Sequence, residues 1–147
     1  MQASEGKIGR VFVLRLDDED VIPECIERFA VDNSIRAAQV VLLGGIGAGG
    51  VVSGPRTPEI PPDTMVLPVD GVHEVLGAGL LAPDESGKPV LHIHGALGRA
   101  GTTLTGCLRE GVRTWFTIEA VVTEVLDNRV RRLPDAASGL SLLNFDD

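Results

Sequence analysis

Two histidines separated by a single residue are, by type and by spacing, the side chains of this sequence best suited to chemistry. His92 and His94 lie in the segment Leu91-His92-Ile93-His94, which is predicted to be part of a β-strand. Because alternate side chains of a strand point to the same face, the two imidazoles should project together. Imidazole nitrogens are common ligands of zinc. The spacing therefore predicts two ligands for one metal ion.

A cysteine on the following strand adds a third ligand to this candidate site. A hairpin turn centred between Ala100 and Gly101 sets Cys107 opposite His94 on the same face. A one-residue bulge would instead turn the thiol to the other face. Two imidazoles and one thiolate, from His92, His94 and Cys107, suit Zn²⁺ and leave a fourth coordination position open to water or a small ligand.

The same residues also fit two other interpretations. Cys107 as a thiolate and His94 as its base would form a nucleophilic pair. Hydrogen-bonded histidines and a packed thiol would also be ordinary parts of a sheet. His73, with Glu74 beside it, could supply a further ligand or an acid–base group, but a surface pair is the more frequent arrangement. No catalytic residue and no specific reaction can be assigned from the sequence.

A glycine cluster contains the letters of a dinucleotide-binding motif, Gly45-x-Gly47-x-x-Gly50. Such a site needs a helix that begins at the glycines, so that its amide groups meet the pyrophosphate. Here Val51-Val52-Ser53 predicts a strand instead, and Gly54-Pro55 then breaks it. We therefore expect no cofactor at this motif and interpret the glycines as a bulge or a tight strand crossing.

The elements that position these residues are predicted to be mostly strands. Short turns between successive strands favour antiparallel pairing. One helix is expected at about Asp20 to Asp32, where apolar residues recur at three- and four-residue steps and Cys25 falls on the buried stripe. Strands are predicted at Arg10–Leu16, Ala37–Leu43, Val51–Ser53, Val72–Leu81, Pro89–Leu97, Thr102–Leu108 and Thr114–Val125.

Two stretches lack a clear helix or strand pattern. Residues 54–63 contain four prolines and predict an exposed loop. Residues 128–147 mix a basic patch with an apolar end and predict an extended segment that docks on the domain. The basic patch, a local charge cluster or a contact for an acidic partner, consists of Arg129, Arg131 and Arg132.

Composition excludes several classes of protein. A chain of 147 residues with 44% hydrophobic and 23% charged residues fits one folded domain, residues 1–147. The formal charge of −8 disfavours generic binding to nucleic acids, and an aromatic content of 3% leaves few platforms for base stacking. No secretory signal or membrane span is expected. With only 2 cysteines, a cytoplasmic location is the expectation.

Several segments in this order resemble the plants-and-prokaryotes conserved domain, the PPC domain. The likeness covers most of the chain, and the order and spacing of the segments make it specific. The segments are Arg15-Leu16-Asp17-Asp18, Val41-Leu42-Leu43-Gly44-Gly45-Ile46-Gly47, Gly71-Val72-His73-Glu74-Val75-Leu76, Gly87-Lys88-Pro89-Val90-Leu91-His92-Ile93-His94, Thr105-Gly106-Cys107-Leu108 and Gly139-Leu140-Ser141-Leu142-Leu143.

The resemblance implies an α+β fold, a mainly antiparallel β-sheet flanked by a helix, and assembly as a homotrimer. It also implies a metal site at the strand Leu91–His94, and Cys107 stands where many members have a third histidine. Prokaryotic members are often labelled as DNA-binding, by association with plant members that carry basic AT-hooks. This chain has no such basic arm, and the expected function is metal binding, with a DNA-associated regulator or a structural trimer as alternatives.

Overall fold

The structure is a computed structural model that describes residues 1–109 and 111–145, and strands dominate it. Within this part of the chain the one α-helix, α1, spans Glu24–Asp32. The fold is therefore α+β in a single domain, as the sequence predicts. The strands are β1 (Lys7–Asp17), β2 (Val21–Ile22), β3 (Ala38–Ala48), β4 (Gly50–Pro55), β5 (Thr64–Pro68), β6 (His73–Pro83), β7 (Pro89–Arg99), β8 (Thr102–Leu108), β9 (Val112–Leu126), β10 (Val130–Pro134) and β11 (Ser141–Phe145).

Nine strands form one sheet in the order β1-β9-β3-β6-β7-β8-β4-β5, with β2 paired to β9. Strands β10 and β11 form a separate hairpin within the tail. Each of these pairings is antiparallel, which confirms the pairing expected from the short turns. The central position of β7 places His92 and His94 well inside the sheet instead of at its end.

The helix and one face of the sheet enclose the hydrophobic core. Ile26 and Ala30 of α1 are buried and pack in the same cluster as Val40 and Leu42 of β3 and Ile93 of β7. Alternate residues of the strands supply this face, as the period of two requires. We call this side of the sheet the inner face.

The opposite side, the outer face, exposes an unusual number of apolar side chains. Because strand registers align, the outer-face residues of neighbouring strands form rows across the sheet. One row runs through Val13, Val121, Val41, Ala78, His94 and Cys107, each residue paired with the next. The most exposed apolar side chains of this face include Val13, Leu43 and Leu76. The candidate site is thus part of the outer face.

The helix begins at Glu24, later than the sequence pattern indicates. Val21 and Ile22 pair with Arg113 and Val112 of β9 and so form β2 instead of a first helical turn. Pro23 then occupies the N-cap position. Pairing with β9 therefore determines the conformation of Val21 and Ile22. The local pattern of apolar residues predicts a helix here because it contains no information about a partner strand that lies far away in the sequence.

The glycine cluster is a strand with a bulge, which confirms the interpretation of the dinucleotide-like motif. Strand β3 continues through the glycines to Ala48, and its register with β9 shifts between Gly44 and Gly45. A Cβ atom at Gly44 would lie 2.4 Å from the carbonyl oxygen of Thr117, and φ of Gly44 is +139°. Only glycine fits such a close approach of two backbones.

The remaining segments connect and cover the sheet. Residues 56–63 link β4 to β5 and are almost wholly exposed. Strand β5 itself was not expected, because its five residues begin only two positions after the last proline of the loop. The tail hairpin approaches β6, where Arg132 donates a hydrogen bond to the carbonyl oxygen of Leu80. No helix of the described residues is long and apolar enough to cross a membrane.

Candidate metal centre

The register of β7 and β8 brings the three predicted ligands together. His94 pairs with Cys107, and the pairing continues without a shift to Arg99 and Thr102 at the turn. The hairpin register deduced from the sequence is therefore confirmed. His92 lies on the same face of β7, one pleat away from His94. Two paired strands supply all three side chains, so the backbone holds them in place before any ligand binds.

The ligand atoms converge on one another. The Nε2 atoms of His92 and His94 are 3.1 Å apart. These nitrogens and the Sγ atom of Cys107 all lie within 4.8 Å of one another. Two imidazole nitrogens that share a tetrahedral zinc ion are separated by about 3.3 Å, given Zn–N distances near 2.0–2.1 Å. The three side chains can therefore hold a metal ion with small adjustments.

The donor set and its burial favour a particular kind of ion. His92 and His94 are exposed, whereas the thiol of Cys107 is buried and its Sγ atom contacts the carbonyl oxygen of Leu108 at 3.8 Å. Two imidazoles and a thiolate form a borderline to soft set, which fits zinc better than the hard ions calcium or magnesium. A set of three protein ligands leaves one tetrahedral position to a water molecule or another ligand.

Electrostatics around the site are positive. Partial desolvation of the His92 ring by the surrounding protein lowers its pKa, and the nearby positive charges of Arg132 and Arg109 lower it further. Burial also raises the pKa of the Cys107 thiol, an effect that the same two arginines oppose. The imidazole of His92 is consequently neutral and able to donate its lone pair to a metal at neutral pH.

The other candidates from the sequence lie apart from this centre. His73 pairs in register with Ile46 of β3, and its Nδ1 atom is 2.9 Å from the carbonyl oxygen of Gly71. Glu74 is exposed. Cys25 packs against the core from α1, and burial raises its pKa to about 11. His73, Glu74 and Cys25 are not among the residues whose ligand atoms converge with those of the metal centre.

Two arginines near the centre were not recognised as part of it from the sequence. Arg132 was grouped with its neighbours in a basic patch, but its side chain is 7% exposed and lies next to the metal centre. Arg109 follows β8 directly. Residues 130–134 form strand β10, and adjacent side chains of a strand point to opposite faces, so a strand predicted here would have separated Arg131 from Arg132.

The sequence and the fold are similar to those of known proteins. The profile of the Plants and Prokaryotes Conserved (PCC) domain matches residues 3–126. A metal-containing protein from Archaeoglobus fulgidus has 26% sequence identity and a TM-score of 0.85, and each chain covers 100% of the other. A plant- and prokaryote-conserved (PPC) protein from Pyrococcus horikoshii has 22% identity and a TM-score of 0.85, with 100% of this chain and 99% of that chain covered.

A third similar structure has a name that refers to nucleic acid. This protein from Bacteroides thetaiotaomicron is named, provisionally, as DNA-binding; it has 19% identity and a TM-score of 0.78, with 99% of this chain and 100% of that chain covered. At such identity the likeness shows the fold alone. No curated protein matches the sequence significantly. The match over residues 3–126, together with the shared fold, shows that this chain belongs to the Plants and Prokaryotes Conserved domain family.

Proposed function

We propose that His92, His94 and Cys107 bind a divalent metal ion, and that this ion is zinc. The observation that supports the proposal most directly is the convergence of two imidazole nitrogens and a thiol sulfur within 4.8 Å. The metal-containing relative from Archaeoglobus fulgidus gives independent support, since its fold covers the whole of this chain. Three protein ligands with an open fourth position are typical of zinc sites that bind or activate a small molecule.

The bound ion would act as a Lewis acid toward a water molecule or a small ligand at the fourth position. This chain's contribution is to fix the ligands on two paired strands and to surround them with positive charge. The net charge of −8 opposes the alternative of a DNA-associated regulator, because binding to a phosphate backbone depends on positive charge over an extended surface.

We also propose that copies of the chain assemble through the outer face as a homotrimer in the cytoplasm. The exposed apolar side chains of this face, with Leu76 at 64% and Val13 at 79% exposure, support burial against another copy. Both cysteines are free, which is consistent with a reducing compartment.

Elemental analysis tests the metal proposal. Untagged protein is dialysed against metal-free buffer, reconstituted with zinc and analysed by plasma mass spectrometry. We expect about one zinc ion per chain in the wild type. His92→Ala and His94→Ala should each lose most of the metal, since two protein ligands bind zinc far more weakly than three.

Cys25→Ala is the matched control, because it removes the other thiol while leaving the centre intact. It should retain the wild-type zinc content. Equal zinc content in the wild type and in the three variants would contradict the proposal, as would the absence of zinc from reconstituted wild-type protein.

A further inference from the structure

A cavity adjoins the metal centre on the side of the tail hairpin. Its volume is about 840 Å³, within the range of small-molecule binding sites. His92 and Cys107 form part of its wall, and Leu140 and Leu142 of the tail also line it. The cavity therefore offers a ligand of the metal centre a partly enclosed space with both apolar and polar walls.

Arg132 places a buried positive charge in the wall of this cavity. Its side chain is 7% exposed, and its Nη2 atom donates a 3.1 Å hydrogen bond to the carbonyl oxygen of Leu80. Its Nε atom has no hydrogen-bond partner within the described part of the chain. Among residues 1–109 and 111–145, no carboxylate forms an ion pair with Arg132. A buried cation without a counter-charge is unfavourable, and an anion in the cavity would relieve that cost.

A second arginine reinforces the positive charge. Arg109 also lines the cavity, and it acts electrostatically on both His92 and Cys107. The cavity has carboxylates as well, Glu24 and Glu27, but they come from α1. Glu27 is engaged as the acceptor of a 2.8 Å hydrogen bond from the backbone N–H of Leu91.

The positive and negative groups are thus supplied by different elements. Neither glutamate is among the groups that shift the pKa of His92 or of Cys107, whereas both arginines are. An anion in the cavity beside His92 and Cys107 would meet the positive charges of Arg109, which follows β8, and of Arg132 in the tail.

We propose that this cavity binds a small oxyanion ligand, a carboxylate or a phosphate, held by Arg132 and Arg109 beside the metal ion. The inference rests in part on the proposed metal centre, because the ligand would contact the metal ion as well as the two arginines. Guanidinium groups bind both kinds of oxyanion through charge-assisted hydrogen bonds. The ligand class is therefore defined by its charged group, and the apolar wall contributed by the tail would contact the rest of the molecule.

Calorimetric titration tests this proposal with two probes, inorganic phosphate and succinate. Each probe is titrated into zinc-loaded and into metal-free protein at low ionic strength, and the zinc content of every sample is measured. We expect at least one probe to bind at one molecule per chain. A preference for phosphate or for succinate identifies which oxyanion the cavity favours.

Arg132→Gln and Arg109→Gln should each weaken binding of that probe about tenfold or more, since each removes a charge-assisted contact. Arg129→Gln is the matched control: it removes the same charge from the same tail, but at an exposed position that does not line the cavity. Its affinity should equal that of the wild type. Circular dichroism checks that each variant is folded, and the exposed Arg109 provides the test if the buried Arg132 variant does not fold.

The outcomes separate this inference from the metal proposal. Full zinc content without binding of either probe would overturn the oxyanion site and leave the metal centre standing. Arginine-dependent binding to metal-free protein, in a chain that takes up no zinc, would support the arginine site while the metal proposal failed. Equal affinity in all three arginine variants, or binding of duplex DNA but of neither probe, would also overturn the inference.

Discussion

The surroundings of Cys107 restrict the chemistry available to its thiol. Burial raises the pKa of the thiol despite two nearby arginines, so the side chain is protonated at neutral pH when no metal is bound. A nucleophilic role requires the thiolate, which is favoured at exposed, electropositive positions. The side chain is only 5% exposed. This environment favours the interpretation of Cys107 as a metal ligand over the pairing of Cys107 with His94 as nucleophile and base.

Alkylation of the metal-free protein tests this distinction. At pH 7.5 we expect iodoacetamide to modify Cys25 and Cys107 at least about tenfold more slowly in the native protein than in urea, because both thiols have raised pKa values. Mass spectrometry of the peptides measures each rate. Rapid modification of native Cys107 alone would contradict the prediction and support the nucleophilic interpretation.

The convergence of the three candidate ligands could be predicted from the sequence, but the position of the arginines beside them could not. His92, His94 and Cys107 belong to one hairpin, so the strand period and the turn position are sufficient to align them. The position of Arg132 depends on how the tail hairpin docks on β6, a long-range contact. No local periodicity contains that information.

Among the elements, β3 shows how backbone contact explains a sequence motif. Its glycines match a nucleotide-binding pattern, yet they allow β9 to approach where side chains would collide. The strand on either side of the bulge pairs with β6 without a break, from Ala38 to Ile46. The bulge therefore shifts the register of β3 with β9, whereas the register of β3 with β6 is continuous. The alignment of β6 with β7 is consequently undisturbed.

Substitution of Gly44 tests this role. Gly44→Ala should lower the free energy of unfolding by roughly 1–3 kcal/mol, because the added Cβ would lie 2.4 Å from a backbone oxygen. Urea denaturation measures the change. Gly98→Ala is the control, since the nearest atom to its added Cβ would be 4.0 Å away. A loss of stability no larger at Gly44 than at Gly98 would show that the bulge does not require glycine.

Elements with local signals were predicted well, and those set by distant partners were not. Strand β8 has the predicted bounds, Thr102–Leu108, because turn residues limit it at both ends. The predicted start of α1 was wrong, because Val21 and Ile22 pair with β9 and form a strand. Strand β5 was missed because only its pairing with β4 reveals it beside the prolines.

At the scale of the whole molecule, the exposed apolar side chains of the outer face lead us to expect that copies of the chain associate through this face. Leu76 lies near the middle of this face, between Leu43 and Ala96 in register. Leu76→Glu should convert the proposed trimer to a monomer, because a buried carboxylate without a partner is strongly unfavourable. Sedimentation velocity measures the mass.

Val31→Glu is the matched control for this change. Val31 has a similar exposure, 52% against 64% for Leu76, but it lies on α1, away from the outer face. The control should remain trimeric. A wild-type protein that sediments as a monomer, or a Leu76 variant that remains a trimer, would contradict the proposed assembly.

The two ends of the nine-stranded sheet limit how copies can join. At one end, β1 has an irregular register between Ile8 and Val11, and it carries exposed Lys7 and Arg15. At the other end, β5 has five residues and closes with Pro68. Bulges, charges and prolines all discourage strand addition at a sheet edge. Growth into open-ended fibrils by edge pairing is therefore disfavoured, which leaves contacts between faces as the route to self-association.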